Sequence, residues 1–112
     1  MIITFIIEGI IVIIGVKTLL SKIPIDLKGV TKEDIDIEIL RAGIIAELDA
    51  VSLYEQMAAL ATNDDVKAVL LDIAKEEKTH VGEFQTMLLN FDEEQVRELE
   101  AGKKEVEEDI LK

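Results

Sequence analysis

Residues 70–87 read LLDIAKEEKTHVGEFQTM. Leu70, Ile73, Phe84 and Met87 recur at the three-and-four spacing of a helix seam, and Glu77 and His80 stand in the middle of that seam. The pattern predicts a helix from about Asp65 to Leu89. Upstream, residues 40–58 read LRAGIIAELDAVSLYEQMA. Here the seam runs Ile37, Leu40, Ile44, then Glu47, then Val51, Tyr54, Ala58 and Ala61, which predicts a helix from about Lys32 to Ala61. Each helix therefore carries ionisable groups where an apolar side chain belongs, and each interruption falls near the helix midpoint.

The punctuation fits. Pro24 and Gly29 bound a short charged linker, and Thr31 with the acids after it reads as a helix start. Thr62-Asn63-Asp64 ends one helix and caps the next, and Asn90-Phe91-Asp92 is a second turn in which Asp92 and Gln95 resemble a capping box. A third helix, about Glu93 to Leu111, has a weaker stripe of Val96, Leu99, Val106 and Ile110. No strand pattern is visible after residue 30. The expected fold is all-α: an antiparallel two-helix hairpin plus a C-terminal helix over residues 31–112. A hairpin cannot cover its own apolar face. Two copies are expected to complete a four-helix bundle by dimerisation.

Residues 1–23 form a separate hydrophobic segment, in which Met1–Leu20 is nearly all apolar, rich in Ile and Val, and interrupted only by Glu8 and Lys17. As a membrane helix Met1–Leu20 is short, and its central charge costs roughly 2.5–3.5 kcal/mol. If it spans, Lys17, Lys22 and Lys28 place the rest of the chain in the cytoplasm. A helix or strand that packs in an oligomer, or an upstream stretch translated in error, are the other readings.

Among the 112 residues, 24 acidic side chains face 12 basic ones, a net charge of -12. Such a surface repels nucleic acid and concentrates cations. Aromatics are only 4% and there is one proline, a composition that favours helices over sheets. Cysteine is absent, which removes disulfides, thiolate zinc sites and iron–sulfur clusters. Any metal must be held by oxygen and imidazole nitrogen.

Glu47, Glu77 and His80 supply those donors. Burying a carboxylate is costly unless it is paired or bound to metal, and no Lys or Arg shares the two seams. Glu77-Lys-Thr-His80 places both donors on one helical face. Helix-bundle di-iron proteins use a lone Glu on one helix and Glu-x-x-His on the next, twice over; this chain has the pattern once. Two chains would offer the full set. Plainer readings stand beside this one: a partner-paired polar cluster, or His80 as a core histidine bonded to a backbone carbonyl. Tyr54, two turns beyond Glu47, is either a group near the site or a core tyrosine. Asp49 points about 200° away from Glu47 and reads as a solvated charge. Glu76 and Glu83 flank the stripe, and Met57 and Met87 read as core filler.

The run from Ile45 to Met57, followed by Asp72 to Phe84, resembles the encapsulated ferritin family and the ferritin-like segment of archaeal encapsulin fusions. The similarity covers roughly residues 32 to 110 and leaves Met1–Leu20 outside it. The resemblance implies half-length ferritins that dimerise through a di-iron site and assemble into rings, usually decamers, inside an encapsulin nanocompartment. It implies Glu47, Glu77 and His80 as ferroxidase ligands holding two iron ions per dimer, with Tyr54 near them. Asp49 falls where some members have an acidic residue on the iron access path, and Ala46 falls where those members have another.

The function expected is a ferroxidase that oxidises Fe(II) with dioxygen for iron storage or detoxification. Competing expectations are a rubrerythrin-like peroxidase or dimanganese catalase, a metal-stapled assembly module without turnover, and a membrane-tethered iron-handling domain.

Overall fold

The computed structural model describes residues 2–7, 10–15 and 27–111, with side chains from residue 28. Strands β1 (Ile2–Ile7) and β2 (Ile10–Gly15) pair antiparallel, with Ile2 opposite Gly15 and Ile7 opposite Ile10. Within the stretch considered as a helical anchor, Ile2–Ile7 and Ile10–Gly15 are extended strands and not helix. Runs of β-branched Ile and Val prefer the extended chain, where their branched side chains pack without crowding a helical turn. Among the described residues, no helix is long and apolar enough to cross a membrane. Glu8, Lys17, Lys22 and Pro24 lie outside the described residues.

The all-α reading holds from there on. A single 3-10 turn at Leu27–Gly29 precedes α1 (Ile35–Leu60), α2 (Asp64–Phe91) and α3 (Glu93–Asp109). Helix α1 starts three residues later than expected. The Thr31 hydroxyl donates to the Asp34 carboxylate at 2.9 Å instead of accepting a backbone N–H, and Asp34 takes the N-cap position without a side-chain cap bond. The other two caps are as read. Asn63 Oδ1 accepts from the Val66 N–H at 3.0 Å, and Asp92 Oδ1 accepts from the Gln95 N–H at 2.9 Å. Asn90 and Phe91 are helical, so Asp92 alone is the joint between α2 and α3. Its second oxygen takes Arg41 Nη2 at 3.0 Å, tying α1 to that joint.

Helices α1 and α2 lie antiparallel, joined by the turn at residues 61–63. Their shared core is thin. Ala58 and Ala74 are 2% exposed and Leu88 5%, and these are the buried apolar residues among those described. Met87, expected in the seam, is exposed, and Leu88 takes the buried place. At 3.6 residues per turn, Ala74 and Leu88 lie within about 40° of each other, so the buried face of α2 is centred one residue on from the expected seam along its length. Leu48 and Leu71 remain about half exposed, at 53% and 48%, leaving apolar surface without cover on the hairpin. The stripe of α3 is likewise exposed, from Val106 at 43% to Ile110 at 72%.

Candidate metal centre

Helix periodicity and antiparallel pairing bring the seam interruptions together. Glu47 comes from the middle of α1, and Glu77 and His80 from successive turns of α2. His80 Nδ1 stands 3.5 Å from Glu47 Oε2 and 3.4 Å from Glu77 Oε2. One donor atom from each of the three lies within 4.8 Å of the others. Donors that share one first-row ion at bond lengths of about 2.0–2.2 Å sit at most about 4.4 Å apart. The cluster is thus within a few tenths of an ångström of chelating spacing.

The electrostatics show what the cluster lacks. Both carboxylates are mostly buried, and Glu47 Oε2 is a buried oxygen without a hydrogen-bond partner. Among the described residues, the ion pairs of Glu47 and Glu77 run only to His80. Lys78, beside them in sequence, turns away to Glu55 on α1 at 3.0 Å. Burial, then the hydrogen bond and charge of Glu77, push the Glu47 carboxyl above its ordinary value, with His80 pulling the other way. Burial pushes the His80 imidazole down, but the hydrogen bond the ring donates to the Glu77 carboxylate and the charges of Glu47, Glu77 and Glu83 outweigh it and hold the ring above its usual value. Both shifts have one sense. The cluster attracts positive charge, and a proton or a cation can supply it. Two carboxylates and an imidazole are hard oxygen and nitrogen donors of the kind that suit iron. The set fits such an ion.

Other candidate residues fall elsewhere. Tyr54 is half-buried, and among the described residues no hydrogen bond joins its hydroxyl to the three donors. Asp49 is buried, at 9% exposure, so the solvated-charge reading is corrected; it has an interaction of its own within the fold. Glu76 and Glu83 are exposed, and Met57 is half-buried. Gly43 was not singled out by seam reading, although a glycine inside a helix is a signal in itself. A Cβ there would stand 3.2 Å from the Phe84 ring.

The family model described as Rubrerythrin matches residues 38–111. The chain is 58% identical over 81 residues to the ferritin-like–encapsulin shell fusion protein of Pyrococcus furiosus, across 72% of this chain and 23% of that protein. It is 38% identical over 56 residues to the encapsulin nanocompartment cargo protein EncC of Myxococcus xanthus, across 50% of this chain and 43% of that protein. The chain thus spans less than half the length of each of these relatives. The crystal structure of the encapsulated ferritin domain from Pyrococcus furiosus matches with a TM-score of 0.71 at 47% identity, covering 86% of this chain and 96% of that one.

Proposed function

The chain belongs to the rubrerythrin family, and from that premise we propose that it is a ferroxidase whose iron centre forms between two copies. The observation that carries this reading is the buried Glu47 Oε2, which accepts no hydrogen bond and has only the His80 ring at 3.5 Å as ionic partner among the described residues, beside Glu77. One copy offers two carboxylates and one imidazole; a two-fold pair offers four and two, enough for two ferrous ions. The thin core of the hairpin and its half-exposed Leu48 and Leu71 support the pairing, because a second hairpin would cover that surface.

Ferrous iron is the substrate. Glu47 and Glu77 bind and neutralise it, and each His80 orients one ion. Each iron pair yields two electrons, which dioxygen accepts. The negative surface, with a net charge of -12, raises the local concentration of new ferrous ions. A four-helix bundle has no room for mineral, so ferric product leaves it. The relatives are a fusion with an encapsulin shell and an encapsulin cargo protein. By analogy this chain works with an encapsulin compartment, as dimers gathered into a ring, and the shell keeps the mineral.

Anaerobic loading with ferrous iron followed by exposure to air tests the proposal, with ferric absorbance and oxygen uptake followed together. Wild type is expected to oxidise iron rapidly and Glu77→Ala only at the rate of buffer. Equal rates in wild type, Glu77→Ala and buffer would sink the ferroxidase. Turnover with hydrogen peroxide but not with dioxygen would move the activity to a peroxidase at the same residues.

A further inference from the structure

Gly43 lies one helical turn before Glu47 on α1, and Phe84 lies one turn after His80 on α2. In an antiparallel hairpin these offsets put the two pairs on successive levels of one interface. A Cβ built on Gly43 would stand 3.2 Å from each of Phe84 Cγ, Cδ1 and Cε1. Neighbouring ring atoms at one distance mean that the ring lies flat over position 43, where no side chain holds it off. After proline, glycine is the least favourable residue inside a helix, so its presence there calls for a packing reason. The ring supplies that reason.

We infer that Gly43 and Phe84 are positioning residues of the metal centre: the ring, seated on bare helix backbone, sets the spacing of α1 and α2 at the level next to the donors. The inference rests on the metal reading above. Its force comes from distance. The donors lie within 4.8 Å of one another, and metal–ligand bonds tolerate deviations of only about 0.2 Å. A methyl group at position 43 would meet the ring at 3.2 Å, so the ring or the helix must give by a few tenths of an ångström. Phe84 and His80 share one face of α2, so displacing the ring displaces the imidazole relative to Glu47.

Cobalt(II) titrated into the full-length chain tests this in wild type, Gly43→Ala, Phe84→Leu and the double variant. The readouts are affinity, the visible absorption spectrum that reports ligand geometry, and apo helicity by circular dichroism. Each single variant is expected to bind cobalt tenfold or more weakly with an altered spectrum at unchanged helicity. The double variant, in which a methyl fills space the ring vacated, is expected to recover most of the affinity and the wild-type spectrum. Wild-type affinity and spectrum in Gly43→Ala would overturn the inference, as would a double variant no better than either single one. If Gly43→Ala does not fold, Phe84→Leu decides alone, and wild-type binding there overturns it. A wild type that takes up no cobalt would sink the metal reading and this inference with it.

Discussion

The α1–α2 hairpin and helix α3 are both rich in acid, and they handle it in opposite ways. In the hairpin, the Glu47 and Glu77 side chains are 18% and 17% exposed, and their only ionic partner among the described residues is His80. On α3, the Glu107 and Glu108 side chains are 57% and 63% exposed and stand one turn from Lys103 and Lys104, at 3.9 and 3.8 Å. Water already stabilises the α3 charges, and such exposed pairs contribute about 0.3–0.5 kcal/mol at most. The hairpin charges have lost most of their water, and a single imidazole is their counter-charge among the described residues. Net charge therefore does not distinguish a site from a solvated face. Burial of two carboxylates against one imidazole does.

The largest test of that contrast is metal-dependent stabilisation. At cobalt a hundredfold above its dissociation constant, wild type is expected to gain about 2.7 kcal/mol against unfolding. Glu47→Ala should gain almost none, and the Glu107→Ala, Glu108→Ala double variant should gain as much as wild type. Denaturant titration with and without cobalt reads the difference. A full gain in Glu47→Ala would erase the contrast.

Asp92 tests how α3 is attached. Its carboxylate caps α3 through Gln95 and takes Arg41 from α1. Asp92→Ala should cost about 1–2 kcal/mol in urea unfolding, from the lost cap with a small share from the exposed Arg41 pair. Asn63→Ala, which removes a cap alone, should cost about 1 kcal/mol. Equal losses would show that the Arg41 link contributes nothing.

A pH series sharpens the electrostatic half. Glu47 is raised above its ordinary 4.5 in the folded protein. The stability this lends is fully present below 4.5 and is lost as pH rises through the raised value. The metal-free wild type should therefore fall behind Glu47→Gln as pH climbs out of the acid range. Parallel thermal midpoints for the two proteins across that range would count against an uncompensated carboxylate. The smallest effect belongs to α3: without metal, Glu107→Ala with Glu108→Ala should stay within about 0.5 kcal/mol of wild type in the same melts.

Much of this was legible before any coordinates. The two interrupted seams located both long helices and named Glu47, Glu77 and His80, because a polar residue on an apolar stripe is visible in one dimension. Asn63 and Asp92 were readable as caps for the same reason: a cap acts within three residues of itself. Tertiary structure decided the rest. The way α2 settles on α1 put Leu88 in the core in place of Met87. Packing beyond its own helix buried Asp49. The Arg41–Asp92 bond and the seating of Phe84 on Gly43 join residues 51 and 41 positions apart along the chain. Periodicity specifies which face of a helix turns inward. Ångström-scale distances across an interface depend on how two such faces settle together, and for this centre those distances decide whether three side chains can hold an ion.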